Sequence, residues 1–191
     1  GTIAYFLSRP LSYEFDAKNV SILGSDADLR IDRMHVVQNK RGEKNWEMWA
    51  GSAKIYREQN TTELESIHIR FYLENGDPMD ITADSGVMEN ESRNIRIRGN
   101  VLIKTSDGYS LHTDTLRFFP KEKRIDTDAK IVVAGNSFRL TGVGLQGRTD
   151  LGHFSLGDKV EAVIYDVNSP DPKNGPTFSK FSPPLPEGKS P

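Results

Sequence analysis

The sequence contains no cysteine among its 191 residues. Disulfide bonds, thiolate metal sites and cysteine nucleophiles are therefore excluded, and the chain fits either the cytoplasm or a disulfide-free exported protein. A formal net charge of −2 gives no overall attraction for nucleic acid, so we expect no nucleic-acid partner. No apolar run approaches the roughly 20 residues that span a bilayer, and apolar residues nowhere hold helical spacing for three turns. Because helical spacing is missing, we expect an all-β protein.

Signatures of metal binding and catalysis are also missing. The four histidines lie on separate predicted strands with no second histidine nearby, so we expect no metal site. No P-loop, dinucleotide fingerprint or nucleophile-elbow motif occurs, and we expect neither a cofactor nor catalytic residues. A glycan hydrolase would need two carboxylates facing each other across a sugar, and Asp84 and Asp114 are the pair to test. A ladder of solvated strand positions explains these carboxylates more simply, so we expect that the protein is not an enzyme.

What the sequence does contain is a repeated strand unit. Two large apolar residues two positions apart, followed by a small residue, begin at positions 13, 46, 79, 109 and 138. The steps between these starts are 33, 33, 30 and 29 residues. Turn signals such as Asn75-Gly76 and Asp107-Gly108 precede the units and are typical of tight hairpins. A nearly fixed period indicates repeated supersecondary units.

Alternating apolar and polar residues give each period two or three strands, which predicts about ten to fifteen antiparallel strands. Their apolar faces must be buried against one another, in two sheets packed face to face or in a rolled, elongated jelly roll. In the unit at Met79–Val87, we expect odd-numbered Met79, Ile81 and Ala83 to face inward. Small residues should line up from unit to unit where the sheet folds over: Ala17, Ala50, Ala83, Thr113 and Gly142.

The two ends of the chain differ in composition from the middle. Residues 166–191 carry seven of the ten prolines and predict a disordered tail. Residues 1–26 form an anchor-proximal segment and a first repeat strand, in which Ile3–Leu7 is either the remnant of a membrane anchor or an edge strand. The predicted β-jelly roll therefore covers residues 27–165.

Several motifs follow one another in a characteristic order and spacing. They are Trp46-Glu-Met-Trp-Ala50, Ile81-Thr-Ala-Asp-Ser-Gly86, Gly99-Asn-Val101, Asp107-Gly-Tyr-Ser-Leu-His-Thr-Asp-Thr-Leu116 and Gly142-Val-Gly144. Together they resemble the LptC family, whose members are periplasmic, membrane-anchored components of the lipopolysaccharide export bridge. The resemblance covers about residues 27–165. The related bridge protein LptA and the periplasmic domain of LptD share the repeat, so an LptA-like soluble bridge subunit stays an alternative.

The resemblance implies a twisted, open β-jelly roll whose two facing sheets form a V with an apolar interior for acyl chains. It implies a non-enzymatic protein that accepts lipopolysaccharide from an inner-membrane ABC transporter and passes it to LptA. The amino-terminal edge would pair with the transporter, and the carboxy-terminal edge strand would pair with LptA. The implied location is the periplasm, anchored to the inner membrane by an amino-terminal helix that lies outside this sequence.

Inward-facing apolar residues are the candidates for a lipid-binding trough, and their alternative is an ordinary sandwich core. The trough candidates are Ile97, Val101, Ile103, Leu111, Leu116, Phe118, Ile131, Val133, Phe138, Leu140, Phe154 and Leu156. The candidates for the edge that pairs with LptA are Val160, Ala162 and Ile164. A carbohydrate-binding β-module is a further alternative, but it needs exposed aromatics on one flat face. Trp46 and Trp49 are three residues apart in the sequence, so their side chains should point to opposite faces of a strand and not share one flat face.

Overall fold

The computed structural model describes residues 27–40 and 42–164, together with strand residues 11–14, 20–22 and 177–179. Every regular element in these ranges is a β-strand, and none of them contains a helix able to span a membrane. The nine long strands are β3 (Leu29–Lys40), β4 (Glu43–Tyr56), β5 (Thr61–Tyr72), β6 (Pro78–Glu89), β7 (Ile95–Thr105), β8 (Ser110–Phe119), β9 (Arg124–Ala134), β10 (Phe138–Arg148) and β11 (Phe154–Ile164). Three short strands are β1 (Leu11–Glu14), β2 (Val20–Ile22) and β12 (Thr177–Ser179).

All twelve strands lie in one antiparallel sheet whose order follows the chain. The order begins with β1 and β3 and then follows the chain from β4 to β12. The short strand β2 also pairs with β3. Each long strand thus pairs with its sequence neighbour, as the hairpin signals predict. The predicted all-β, twisted and open fold and its strand count are confirmed, but the two facing sheets are layers of one continuous sheet that folds over.

The sheet folds along a line that crosses the middle of its strands. Positive φ angles occur there at Ser66 (54°), Gly99 (83°) and Gly144 (85°). The pairing shifts register close to the same line, between Arg98 and Val101 where β7 meets β8. Left-handed residues and register shifts bend a strand sharply and increase its twist. Each long strand therefore contributes one half to each of two layers.

The two layers pack directly on each other through aromatic rings. The first layer contains Trp46 and Phe71, and the second layer contains Phe118. The ring of Phe118 lies edge-on to Trp46 at 5.7 Å and to Phe71 at 5.0 Å between centroids. Edge-to-face pairs at these separations are favourable arrangements for buried aromatics. The middle of the molecule consequently has a filled core.

A row of alternating small and large residues crosses the sheet at the fold line. Cα partners along it run from Ala50 to Ile67 to Ala83, then from Val101 to Thr113 to Ile131 to Gly142. Small residues at every second strand allow the layers to converge there, because bulky side chains would hold them apart. The predicted alignment is confirmed for its four members from Ala50 onward, whereas Ala17 lies outside the described residues.

The inward and outward faces of the central unit are as expected. Met79, Ile81 and Ala83 are buried in the core, at 0%, 0% and 8% exposure. The intervening Asp80 is half-buried and Thr82 is exposed. The period-2 alternation therefore predicts which face of β6 is buried.

The end segments are described only in part. Three residues of the segment predicted to be disordered, Thr177–Ser179, form β12, which pairs with Ala162–Ile164 of β11. The remainder of that segment lies outside the described residues, as does Ile3–Leu7. Within residues 1–26, the structure describes only β1 and β2.

Candidate functional site

Two turns from opposite layers meet and close one side of the space between the layers. The turn between β5 and β6 (residues 73–77) contacts the turn between β10 and β11 (residues 149–153). The backbone amide of Glu74 donates a hydrogen bond of 2.9 Å to the carbonyl of Asp150. Gly152 has a φ of +68°, and a Cβ there would lie 2.9 Å from Cδ1 of Leu73. The left-handed backbone conformation therefore favours glycine at this contact, and a methyl group there would push the end of the Leu73 side chain aside.

Charged groups fix the shape of the second of these turns. Arg148 donates two hydrogen bonds to the carboxylate of Asp150, of 3.0 and 2.8 Å, and Lys123 Nζ lies 4.0 Å from the same group. The hydrogen bond from Arg148 lowers the pKa of Asp150. The amide of Thr149 also donates to the carbonyl of Lys123 at 3.0 Å. Asp150 thus holds the turn by its backbone carbonyl on one side and by its side chain on the other.

Next to this contact lies an apolar pocket of ≈ 460 Å³ between the layers. This volume falls in the range of small-molecule sites. Its apolar lining consists of Leu73, Ile103, Tyr109, Leu111, Val133, Leu140, Leu151, Phe154 and Leu156. Tyr109 and Leu151 are 43% and 39% exposed, unusually high for large apolar side chains in this protein. The pocket therefore opens to solvent past two apolar residues.

Polar residues line the mouth of the pocket. They are Asn75, Asp77, Thr105, Ser106, Asp107, Ser110 and His153. Asn75 shapes this border, because its side-chain oxygen accepts a hydrogen bond of 2.9 Å from the Asp77 amide. Its Nδ2 also donates to the Asp77 carboxylate at 3.2 Å. Within the part of the chain that the structure describes, the residues that line the pocket include no lysine or arginine.

The structure divides the twelve predicted trough residues into three groups. Six of them line the pocket together: Ile103, Leu111, Val133, Leu140, Phe154 and Leu156. Five belong to the filled core, with exposures of 0–1%: Ile97, Val101, Leu116, Phe118 and Ile131. Phe138 lies beside the pocket, where its ring packs on Tyr109 at 5.6 Å. Lipid contact with the core group would require the two layers to separate.

Sequence reasoning missed three apolar residues of the pocket. Leu73 and Leu151 lie at or within turns, where no alternation of apolar and polar residues marks the inward face. Tyr109 begins a repeat unit, and that signal identified it as a strand start rather than as part of a cavity. All three residues surround the opening, which is built from turns that lie far apart in the sequence.

The predicted partner edge lies on β11, beside the pocket wall. Ala162 is buried and Ile164 is 55% exposed, so the edge changes from core to surface along the strand. Strand β12 occupies its outer side over Ala162–Ile164. Val160 precedes this paired stretch and is half-buried. Ala162 and Ile164 are thus already paired with β12, and the role of the three residues in binding a partner stays a prediction.

The outer surface of the first layer carries an aromatic stack. Trp49 lies between the rings of His35 and His68, at 4.9 and 5.0 Å between centroids. Trp46 is buried on the opposite face, as the spacing of the two tryptophans predicts. Because histidines cover both faces of the Trp49 ring, a sugar has no free face on which to stack. This arrangement argues against the carbohydrate-binding alternative.

Carboxylates anchor this outer surface. Asp80 accepts hydrogen bonds from Arg70 at 2.8 and 3.1 Å, and its Oδ1 lies 2.7 Å from His68 Nε2. Burial acts to raise the pKa of Asp80, but the hydrogen bonds from Arg70 and His68 outweigh it and lower the pKa. Burial likewise acts to raise the pKa of Glu47, which hydrogen bonds from Tyr72 and other donors lower instead. Among the described residues, no group of three or more possible ligands could hold a metal ion.

Asp84, one of the two carboxylates considered for a hydrolase, is engaged at the fold line. Its Oδ2 accepts a hydrogen bond of 2.8 Å from Asn100 Nδ2. A Cβ at Gly99 would lie only 2.7 Å from the same oxygen. The side chain of Asp84 therefore packs over the left-handed bend of β7, which is a structural role.

Comparison with known proteins identifies a family. The family model described as LptC, lipopolysaccharide-assembly, LptC-related, matches residues 2–166. Among solved structures, the fold is similar to that of LptH from Pseudomonas aeruginosa, described as the LptA-homologous periplasmic component of the lipopolysaccharide transport device. That match has a TM-score of 0.45 and 11% identity, and it covers 73% of this chain and 95% of LptH. No curated protein matches the sequence.

Proposed function

The chain belongs to the LptC family of lipopolysaccharide-assembly proteins, and on that premise we propose that it is a non-enzymatic lipopolysaccharide-binding bridge protein. The family membership expected from the order of the motifs is confirmed. In this proposal, residues 27–165 form the transport unit. Residues 1–26 lie next to the membrane anchor, and residues 166–191 form a tail. The unit would lie in the periplasm, anchored to the inner membrane by an amino-terminal helix.

The apolar pocket between the layers is the observation that carries this proposal. Its walls come from both layers, and it opens past Tyr109 and Leu151. Burial of an acyl chain contributes about 0.8 kcal/mol per methylene, so about ten methylenes give roughly 8 kcal/mol. A free energy of that size corresponds to a dissociation constant of about 1 μM. The pocket would hold a lipid firmly enough to carry it and loosely enough to release it.

The two ends of the sheet support the proposed direction of transport. An open sheet presents unpaired backbone groups at its terminal strands, and these groups are templates for strands of other chains. The amino-terminal edge, at β1 to β3, would pair with the inner-membrane ABC transporter that delivers lipopolysaccharide. The carboxy-terminal edge, at Val160, Ala162 and Ile164 of β11, would pair with LptA, which receives it, once β12 leaves Ala162–Ile164.

Site-specific photo-crosslinking to lipopolysaccharide tests the proposal. A photo-reactive phenylalanine analogue at Leu140 or Phe154, which line the pocket, should capture lipopolysaccharide. The same analogue at His112, exposed on the outer face of β8, is the matched control and should capture none. The proposal fails if neither pocket position captures lipid above the control. Capture from Phe118 in the filled core would show that the layers separate during transport.

The hydrolase alternative has a direct test. Purified protein incubated with bacterial glycans should release no products. Hydrolysis that is lost in Asp84→Asn or Asp114→Asn would overturn the proposed function. Because Asp84 packs at the fold line, the unfolding free energy of its variant should be measured alongside.

A further inference from the structure

The mouth of the pocket differs in charge from its apolar walls. Asp77 and Asp107 both line it, and they come from two neighbouring turns of the first layer. Within the described part of the chain, neither carboxylate takes part in an ion pair. Two carboxylates thus line the mouth, and among the described residues no lysine or arginine lines the pocket with them.

Two positive groups near the contacting turns are committed elsewhere. Arg148 and Lys123 approach the same pair of contacting turns, but both interact with Asp150, at 2.8 and 4.0 Å. Their charges are thereby balanced on the side of the turns that faces away from the pocket lining. A phosphate at the mouth would meet these two carboxylates, and because no described lysine or arginine lines the pocket, it would be repelled.

The other polar groups at the mouth suit an uncharged ligand. Ser106 and Ser110 carry hydroxyls that both donate and accept hydrogen bonds, and His153 adds a ring nitrogen. The hydroxyl of Thr105 is already bonded to the backbone of Tyr109. The carboxylates of Asp77 and Asp107 are strong acceptors for hydroxyl and amide donors. Sugar hydroxyls and amide groups would therefore find partners here.

We propose that this pocket selects acyl ligands that place uncharged, hydroxyl- or amide-bearing groups at its mouth, and that it disfavours acyl ligands with a phosphate there. The inference rests on the proposed function, because it takes the pocket as the acyl-chain site. For lipopolysaccharide, whose acyl chains join sugars through ester and amide groups, it sets the orientation. The acyl chain enters, the sugar and its amide meet the polar border, and the phosphates stay outside.

Two single-chain lipids that share one tail provide the test. Dodecyl maltoside and dodecyl phosphate, each below its critical micelle concentration, are titrated into the protein at low ionic strength by calorimetry. We expect the maltoside to bind about tenfold more tightly, which is the effect of about 1.4 kcal/mol of repulsion from two nearby charges. Added salt should narrow the difference by screening the carboxylates.

Two double variants assign the selectivity to the mouth. Asp77→Asn/Asp107→Asn should bring the two affinities within about threefold of each other, mainly by strengthening the binding of the phosphate. Glu58→Gln/Glu91→Gln is the matched control, because it removes two exposed turn carboxylates that lie outside the pocket lining. That control should keep the wild-type selectivity. Leu140→Trp, which fills the pocket, should abolish binding of both lipids and so locate the binding.

Each outcome has a definite meaning. Equal binding of both lipids to the wild-type protein overturns the inference and leaves the proposed function standing. Selectivity that persists in Asp77→Asn/Asp107→Asn, or that is lost equally in the control, overturns the role of the mouth. Binding of neither lipid, or binding unaffected by Leu140→Trp, overturns the acyl-chain site itself and the inference with it.

Discussion

Replacement of Gly99 by alanine tests whether the fold line depends on a left-handed residue that Asp84 covers. Gly99 has a φ of 83° in the middle of β7. A Cβ added there would lie 2.7 Å from Oδ2 and 2.9 Å from Cβ of Asp84. Because one of these contacts is to the base of the side chain, rotation of Asp84 alone cannot relieve both. The backbone must move, or the hydrogen bond between Asp84 and Asn100 must be lost.

The expected cost has two parts. The left-handed conformation costs an alanine about 1–2 kcal/mol relative to glycine. Overpacking against Asp84 adds about 1–3 kcal/mol, the usual cost of one extra methyl group in a close-packed site. Gly99→Ala should therefore lower the free energy of unfolding by roughly 2–5 kcal/mol.

A second glycine separates the two parts. Gly108 has a φ of 94° in the turn between β7 and β8, and a Cβ there would meet nothing within 4 Å. Gly108→Ala therefore isolates the conformational cost of about 1–2 kcal/mol. The excess destabilisation in Gly99→Ala then measures the contact with Asp84. Introducing Asp84→Gly into the wild-type protein and into Gly99→Ala completes a double-mutant cycle. The coupling energy between positions 84 and 99 is expected to be at least about 1 kcal/mol.

The assay is urea unfolding, followed by the fluorescence of the two tryptophans. Trp46 is buried in the core, so its fluorescence reports on unfolding. Linear extrapolation gives the free energy of each variant, and an unchanged m value confirms that the comparison is sound. If Gly99→Ala is destabilised no more than Gly108→Ala, the contact with Asp84 does not constrain the bend. The structural role assigned to Asp84 at the bend of β7 would then be contradicted.

Three further predictions concern the turns, the outer surface and the tail. Gly152→Ala should destabilise the protein by about 1–2 kcal/mol, because Gly152 has a left-handed backbone conformation. It should also weaken lipid binding in calorimetry, because its methyl group would displace the end of the Leu73 side chain, which lines the pocket. The lowered pKa of Asp80 makes its charged form stabilising above the unfolded value near 4, so stability should fall as the pH drops through the folded pKa. Asp80→Asn should flatten that decline in urea titrations carried below about pH 4. Deletion of residues 166–191 removes β12 from the edge at Ala162–Ile164, and it should increase binding to LptA in a pull-down.

Much of the fold can be predicted from local patterns. Alternation of apolar and polar residues determines the buried face of β6, because side chains of a strand point to opposite faces in turn. The small residues at Ala50 and Ala83 mark the fold line, since their strands are joined through hairpins of regular length. Hairpin signals also predict the order of strands in the sheet. All these features depend on neighbours in the chain.

The pocket could not be predicted in this way. Ile97 and Leu140 both occupy inward positions, yet Ile97 lies in the filled core and Leu140 lines the cavity. What separates them is the distance between the layers at each position. That distance depends on contacts such as Leu73 with Gly152, which join turns far apart in the sequence. Strand alternation carries no information about such a contact.

Strand β11 links the pocket to the proposed hand-off, because it supplies both a wall and an edge. Phe154 and Leu156 line the cavity, while Ala162 and Ile164 lie on the other half of the same strand. A partner strand that replaces β12 at this edge would continue the sheet beyond β11 and so extend the cavity wall. In the proposed function, docking of LptA would therefore lengthen the apolar surface available to the acyl chain. The acyl chain could then move along a continuous apolar surface, whereas its release into water would cost about 0.8 kcal/mol per methylene.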